Sequence, residues 1–159
     1  MRITLIVVGK IKEKYFTDAI AEYSKRLTKY CKLEIIEVAD EKTPDKASAA
    51  IDEQIRAVEG ERILKKIPEN SYVVTLEING MKLSSEELSK KMECIGVQGD
   101  SHITFIIGGS IGLHSDVCKR SDFKLSFSDM TFPHQLMRVI LLEQIYRSYR
   151  IMKHEPYHK

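Results

Sequence analysis

The sequence lacks most of the features that place a protein in a specialised class. Its 159 residues include only three cysteines, Cys31, Cys94 and Cys118, which are odd in number and widely spaced. That distribution argues against a disulfide framework and a CxxC zinc site, and it favours a reducing, cytoplasmic location. No apolar run approaches the ~20 residues needed to cross a bilayer, so no membrane partner is expected.

An excess of charge of one sign is also missing. Lysine and arginine number 25 against 23 aspartates and glutamates, which leaves a formal net charge of +2. The chain is therefore not a polycation, and any affinity for nucleic acid must come from a local patch. From Pro133 onward there are five Lys or Arg against two Glu, together with three of the five histidines. We expect such a patch toward the C-terminus.

Strand and helix patterns alternate along the chain. Short apolar runs predict five strands, at residues 3–8, 33–38, 72–78, 102–107 and 123–127. Helical spacing and capping residues predict five helices, at 14–30, 43–66 (opened by Thr43 and Pro44), 84–96, 114–120 and 133–152. This order predicts an α/β fold with a parallel sheet and helices on both faces. Without a linker, repeat or low-complexity tract, residues 1–159 are interpreted as a single domain.

The last predicted helix is unusual because apolar residues cover most of its circumference between Leu136 and Tyr149. A helix that is apolar nearly all round has to be buried. One small domain is expected to cover only one side of it. The pattern therefore favours a homodimer in which a second copy covers the rest.

Glycines follow the fourth predicted strand, at Gly108, Gly109 and Gly112. With Ser110 they match the G-x-S-x-G pattern of hydrolases, for which Asp129 and His134 would be the acid and the base. A dinucleotide-binding G-x-G-x-x-G is absent. Two other interpretations stay open. One is a simple tight turn, and the other is a glycine-lined pocket where backbone meets an adenine-containing ligand without interference from Cβ atoms.

The segment 127–132 joins the last strand to the last helix without a glycine. Its polar groups suit hydrogen bonding to a ligand, although an ordinary capped loop explains them equally. His134 follows in the first helical turn, where the helix dipole favours a neutral imidazole. Arg147 follows Glu143 by four residues, the spacing of an ion pair within one helix. Such a pair either lies on a solvated face or has a functional role.

The chain ends on Tyr157, His158 and Lys159, which core packing does not require. A tyrosine can stack on a base, a histidine can move a proton near neutral pH, and a lysine can hold phosphate. The alternative is a frayed tail. Four further basic residues, Arg138, Arg147, Arg150 and Lys153, form either a phosphate-binding face or a simple solvated face.

Three motifs stand together in register: Ile107–Leu113, Met130–His134 and Pro156–His158. Over essentially the whole chain, from Gly9 and Lys10 onward, the sequence resembles the RlmH family of the SPOUT methyltransferase superfamily. The resemblance departs locally at Ile111, where a smaller or polar residue is expected. It implies an α/β protein with a C-terminal trefoil knot. It also implies a homodimer whose two subunits complete each active site.

The resemblance further implies an S-adenosylmethionine-dependent methyltransferase that modifies N3 of a pseudouridine in 23S ribosomal RNA. The dispersed basic groups predict weak binding to RNA alone and favour the assembled ribosome, but the sequence does not distinguish free RNA, the large subunit and the whole ribosome as the substrate. No metal is required, and no His, Cys and Asp cluster at ligand spacing predicts one. The implied cofactor-binding residues are Leu76, Gly108, Phe127, Ser128, Asp129, Met130, Thr131 and Phe132. The candidate catalytic residues are His134, Arg147, Tyr157 and His158, and the candidate substrate-binding residues are Arg138, Arg150, Lys153 and Lys159.

Two other functions remain open at this point. A non-catalytic RNA- or ribosome-binding protein would keep the fold and the basic groups without binding S-adenosylmethionine. A small hydrolase built on Ser110 would need no methyl donor. The residues also do not decide which group accepts the N3 proton.

Overall fold

A computed structural model describes residues 1–159, in which five strands alternate with five helices. The strands are β1 (Arg2–Val8), β2 (Lys32–Val38), β3 (Tyr72–Lys82), β4 (His102–Ile107) and β5 (Phe123–Ser126). The helices are α1 (Lys14–Leu27), α2 (Ala49–Leu64), α3 (Ser85–Val97), α4 (Ser115–Arg120) and α5 (His134–Met152). None of these helices combines the length and apolar character needed to span a bilayer.

The five strands form one sheet in the order β2-β1-β4-β3-β5, and every neighbouring pair is parallel. In β1, Leu5 lies opposite Ile35 of β2 and Phe105 of β4. Because all strands run the same way, all their carboxyl ends meet at one edge. In open sheets of this kind ligands bind at that edge.

Helices cover both faces of the sheet, as predicted. On one face the core includes Leu5 and Val7 of β1 with residues of α1, α3 and α5. On the other it includes Ile6 and Val8 with residues of α2 and α4. The alternation follows from the two-residue period of a strand, and burial on both sides explains why β1 is continuously apolar. The α/β fold is thus confirmed, and the trefoil knot stays a prediction.

The start of α2 differs from the prediction. The helix begins at Ala49, because the side-chain oxygen of Ser48 accepts a hydrogen bond from the backbone N–H of Ile51 at 3.3 Å. Thr43 and Pro44 precede a turn instead. Serine and threonine are both good caps, and the sequence offers one at each place. The predicted helix at 84–96 begins with a capping box, since Ser84 and Glu87 exchange hydrogen bonds between side chain and backbone.

The chain itself covers α5 more completely than expected. The helix packs against α1 and α3, and every residue from 134 to 152 is buried or half-buried within one chain. The expectation that one domain covers only one side of this helix is therefore wrong. The two flanking helices supply the additional cover. The homodimer stays a prediction that needs its own test.

Candidate active site

A cleft opens at the carboxyl ends of β3, β4 and β5. It holds about 650 Å³ of empty space including its mouth, within the range typical of small-molecule sites. Apolar residues supply about half of the lining. The lining residues are Leu76, Glu77, Ile78, Ile107, Gly108, Gly109, Gly112, Leu113, Leu125, Ser126, Phe127, Ser128, Met130, Thr131, Phe132, His134 and Met137.

The glycine turn forms one wall of this cleft. Gly109 and Gly112 form an isolated antiparallel bridge, and the N–H of Gly112 donates to the carbonyl of Gly109 at 3.1 Å. Gly112 has φ +85°, a left-handed conformation that glycine adopts without strain. A Cβ on Gly108 would lie 3.0 Å from the carbonyl carbon of Gly112 and from Cδ2 of Leu113. The turn is therefore tight, and it also lines the cleft. Two interpretations of the sequence, a tight turn and a glycine-lined pocket, both describe it.

A bulge at the end of β3 forms a second wall. Leu76 and Met81 both pair with Leu125 of β5, so the intervening residues leave the ladder. Among them, Glu77 and Ile78 line the cleft. A Cβ at Gly80 would lie 2.8 Å from the backbone of β5, so this close approach requires glycine. The sequence did not reveal the bulge, although Gly80 inside a strand pattern is a signal for one.

The segment 127–132 closes the third side. Five of its six residues line the cleft. The exception is Asp129, whose side chain is 84% exposed and forms an ion pair with Lys82 outside the cleft. Within the loop the hydroxyl of Ser128 accepts a hydrogen bond from the N–H of Met130 at 3.0 Å. That local bond shapes the loop without help from glycine.

His134 lies on the rim, in the first turn of α5. Burial lowers the pKa of its imidazole, the neighbouring Arg138 lowers it further, and Asp40 raises it in part. The helix dipole acts in the same direction as the burial. The ring is therefore neutral at physiological pH, as the sequence predicted, and a neutral ring has a lone pair to accept a proton.

The predicted phosphate contact by Arg138 needs correction. Its side chain is only 2% exposed, and Nη2 donates to the carbonyl oxygens of Val8 and Gly9 at 2.8 and 2.9 Å. Its Nη1 also donates to Glu37 at 3.2 Å. The guanidinium therefore binds the end of β1 inside the protein, because this face of α5 points into the sheet edge. It does not belong to an exposed basic face.

The C-terminal residues form a separate cluster with Arg147. The guanidinium of Arg147 bonds Glu143 at 2.6 Å and Nδ1 of His158 at 3.1 Å. The hydroxyl of Tyr157 donates to the same Glu143 at 3.0 Å, and Nε2 of His158 lies 2.7 Å from Glu86 of α3. The tail is thus folded onto α5 and α3, not frayed. It brings three of the four predicted catalytic residues together, whereas His134 lies at the cleft.

The remaining basic residues occupy different surroundings. Arg150 pairs with Glu155, and its Nη2 donates to the carbonyl of Pro156 at 2.8 Å, so it supports the folded tail. Lys153 and Lys159 are exposed and form no ion pair. They remain available to an external anion.

Burial raises the pKa of Tyr157 to about 12, and the adjacent Glu143 carboxylate acts in the same direction. The phenol therefore keeps its proton near neutral pH, and its O–H donates to the Glu143 carboxylate. Its ring also packs edge-on against Tyr146, with centroids 5.0 Å apart. Tyr157 is thus oriented by two contacts at once.

The structure does not assemble a hydrolase triad. Ser110 is exposed, Asp129 pairs with Lys82, and no hydrogen bond joins either of them to His134. A nucleophilic serine requires a base within hydrogen-bond reach and a third group that orients the base. This arrangement provides neither contact.

Similarity to known proteins shows the family of this chain. The model of a family described as "Predicted SPOUT methyltransferase" matches residues 1–158. The chain belongs to the SPOUT methyltransferase family. This SPOUT methyltransferase is 63% identical over 159 residues to a Bifidobacterium adolescentis protein named "Ribosomal RNA large subunit methyltransferase H", with both chains covered in full. A Clostridium perfringens protein of the same name is 60% identical, again over 100% of both chains.

Structural similarity extends to a methylase-family protein of Haemophilus influenzae Rd KW20. The TM-score is 0.56, and the match covers 99% of this SPOUT methyltransferase and 70% of the other chain. At 12% identity this likeness concerns the fold alone.

Proposed function

We propose that this protein uses S-adenosylmethionine to methylate N3 of a pseudouridine in 23S ribosomal RNA. Membership of the SPOUT family supports methyl transfer, and the names of its relatives support large-subunit ribosomal RNA as the substrate. The observation that carries the proposal is the cleft between the glycine turn at Gly108 and the loop 127–132. The residues implied for the cofactor meet there, with only Asp129 turned away.

The cleft fits the chemistry of the cofactor. Leu76, Ile107 and Leu113 provide apolar surface for an adenine ring, and the glycine turn lets the backbone approach it closely. Backbone and hydroxyl groups of Ser126, Ser128 and Thr131 provide polar partners for its ribose and amino-acid parts. When bound, S-adenosylmethionine supplies a methyl group activated by the sulfonium charge.

The residues of the chain then have to align N3 and remove its proton. His134 is the better base of the two candidate histidines. Its ring is neutral, lines the cleft and makes no hydrogen bond in the structure, whereas Nδ1 of His158 is already bonded to Arg147. Arg147 and Tyr157 can stabilise the negative charge that develops on the pseudouridine ring as its N3 proton leaves.

A homodimer would allow the tail of one subunit to act beside the cleft of another. Within one chain neither Tyr157 nor His158 lines the cleft. Three large apolar residues near it are exposed, namely Ile78, Met81 and Met130 at 49%, 60% and 74%. A second subunit that covers this edge would bury them and complete the site. Light scattering should then give about twice the 18.3 kDa chain mass, whereas a monomer would exclude the shared site.

The assembled ribosome is the proposed form of the substrate. A net charge of +2 gives the protein little general attraction for RNA. Specific affinity then has to come from several surfaces at once, which an assembled particle offers and a short RNA does not. Methylation of intact ribosomes, with free RNA left unmodified, would support this part of the proposal. Equal methylation of both would contradict it.

The deciding experiment has two stages. Calorimetric titration with S-adenosylmethionine should show saturable binding, and its absence would favour a non-catalytic RNA-binding protein. The protein is then incubated with unmodified ribosomes and labelled cofactor, and digested RNA is analysed by mass spectrometry. Label at N3 of a pseudouridine supports the full proposal. Label on another atom or base would retain the methyltransferase and overturn the target.

A further inference from the structure

Helix α2 contributes no residue to the lining of the cofactor cleft, yet its side chains contact the glycine turn that forms one wall. In that turn Gly112 and Leu113 line the cleft, and they lie between Ile111 and His114, which do not. Ile111 and His114 instead contact α2. The turn is therefore held from behind, and the residues between the two contacts stay available to a ligand.

Arg56 of α2 donates a hydrogen bond to the backbone of the turn. Its Nη1 bonds the carbonyl oxygen of Ile111 at 3.1 Å. Its Nε and Nη2 lie 3.1 and 3.0 Å from Oε2 of Glu53, one helical turn earlier. Because a guanidinium holds its donors in a fixed plane, the two contacts with Glu53 determine where Nη1 points. The bond uses the backbone of Ile111, so the unusual side chain at that position does not disturb it.

Glu53 extends these contacts to the far end of the turn. Its other oxygen, Oε1, lies 3.2 Å from Nε2 of His114. Nδ1 of the same histidine accepts the backbone N–H of Asp116 at 3.1 Å, so the neutral ring carries its hydrogen on Nε2, facing Glu53. Two side chains of α2 thus join Ile111 to His114 across the turn.

Close packing also holds α2 against the turn. A Cβ on Gly60 of α2 would lie 2.8 Å from Cβ of His114, so this approach requires glycine. A Cβ on Gly109 would lie 3.2 Å from Oε1 of Glu59, which is buried. The turn has little room to move toward α2, and the bond from Arg56 opposes its separation from the helix.

This restraint bears on binding because glycine residues are conformationally free. The turn has one backbone hydrogen bond of its own, from the N–H of Gly112 to the carbonyl of Gly109 at 3.1 Å. A turn that is ordered before the ligand arrives loses less conformational freedom on binding, and the affinity is higher for that reason.

We propose that Arg56 is a positioning residue for S-adenosylmethionine, which together with Glu53 holds the glycine turn in the conformation that binds the cofactor. This inference rests on the proposed function, because it takes that cofactor as the ligand of the cleft. Arg56 does not line the cleft and acts through the backbone of Ile111. Loss of its side chain should weaken cofactor binding and leave recognition of the ribosome unchanged.

The first measurement is isothermal titration of the full-length Arg56→Ala protein with S-adenosylmethionine and with S-adenosylhomocysteine. Both affinities should fall about tenfold, the loss expected for one hydrogen bond from a charged group. Removal of a positive charge alone would instead favour the cationic S-adenosylmethionine over the uncharged product. An equal loss for the two ligands therefore separates positioning from electrostatics.

Arg62→Ala is the matched control. Arg62 lies on the same helix and also donates to a backbone carbonyl, that of Ala39 at 2.9 Å, which belongs to a different loop. Its loss should leave both affinities unchanged. Glu53→Ala should reproduce the defect of Arg56→Ala, because Arg56 then loses the partner that orients it. The double variant should be no weaker than Arg56→Ala alone, since the two residues act as one unit.

Hydrogen exchange of the ligand-free protein reports on the turn directly. The N–H of Gly112 should exchange faster in Arg56→Ala and at the wild-type rate in Arg62→Ala. Thermal unfolding should change little, because the Arg56 and Glu53 side chains are 27% and 54% exposed and such pairs add little to stability. In ribosome methylation, KM for S-adenosylmethionine should rise about tenfold, whereas kcat and KM for ribosomes should be retained.

Wild-type affinity in a folded Arg56→Ala protein would overturn the inference, as would an equal loss in Arg62→Ala, additive losses in the double variant or unchanged exchange at Gly112. If Arg56→Ala does not fold, Arg56→Lys takes its place, because it keeps the charge and loses the planar fork. A wild-type protein that binds the cofactor, with no change in the variants, refutes only this inference. Absent binding by the wild-type protein refutes the proposed function as well.

Discussion

Nη1 of Arg147 lies 3.1 Å from Nδ1 of His158, and this contact assigns the tautomer of the histidine. A guanidinium has only donors, so Nδ1 must be the acceptor and carries no proton. The remaining ring nitrogen, Nε2, then carries the hydrogen and donates it to Glu86 at 2.7 Å. One arginine thus orients the imidazole and determines which of its nitrogens is protonated.

The first prediction is that the neutral ring of His158 is the Nε2–H tautomer. Long-range proton–nitrogen correlation spectra distinguish the two ring nitrogens directly. In Glu86→Gln the amide oxygen can still accept from Nε2, so the tautomer should persist. In Arg147→Ala the preference should weaken because Nδ1 loses its donor. A dominant Nδ1–H form in the wild-type protein would contradict the hydrogen-bond pattern.

The second prediction concerns the glycine turn. Gly108→Ala should lower the affinity for S-adenosylmethionine at least about tenfold, or ~1.4 kcal/mol. The added Cβ would lie 3.0 Å from the backbone of Gly112, so the turn has to shift. Isothermal titration measures the affinity, and thermal unfolding checks the fold.

Gly96→Ala is the matched control for this change. It adds the same methyl group to α3, where the nearest contact is the flexible end of Met1. It should leave cofactor affinity unchanged. Wild-type affinity in a folded Gly108→Ala protein would place the cofactor elsewhere.

The third prediction follows from the lowered pKa of His134. In the unfolded chain this group titrates near 6.5, and in the folded protein it titrates lower. Below 6.5 the unfolded chain therefore binds more protons, and folding stability falls as the pH falls toward the folded pKa. Above 6.5 the full stability is present.

Urea unfolding at a pH above and a pH below 6.5 tests this sign. His102 also has a lowered pKa, so the wild-type protein contains both effects. His134→Gln should reduce the loss of stability on acidification, and NMR titration of the wild-type ring should give a pKa below that of a free histidine. A larger loss in the variant would show that the charged form of His134 stabilises the fold.

The fourth prediction concerns the tail. Removal of residues 157–159 deletes the edge-on contact with Tyr146 and the hydrogen bond to Glu143. The free energy of unfolding should fall by about 1–2 kcal/mol, and cofactor affinity should persist because the cleft lies elsewhere. Methyl transfer to ribosomes should fall at least about tenfold.

Removal of Lys159 alone is the control for chain length. It leaves the contacts of Tyr157 and His158 in place, so stability should remain close to that of the wild-type protein. Full methylation by the protein that ends at Pro156 would exclude the tail from catalysis. The search for catalytic groups would then return to His134 and Arg147.

Local patterns were sufficient for much of this protein. Short apolar runs predicted every strand, and helical spacing with capping residues predicted every helix, because each element buries residues in its own pattern. The error at the start of α2 arose because Ser48 and Thr43 are both acceptable caps, and a local pattern does not rank them. At the start of α3, the capping box at Ser84 is a single signal, and no such ambiguity arises.

The candidate site, like the fold, was predicted only in part from the sequence. The sequence by itself determined an α/β sheet, a glycine turn at its edge and a polar loop without glycine at 127–132, since these depend on residue type and spacing along the chain. Only the tertiary structure decided that Arg138 is buried beneath the end of β1 and that His158 lies between Arg147 and Glu86. Those contacts join residues up to 130 positions apart, such as Val8 and Arg138, and the periodicity of one segment carries no information about the segment that it meets.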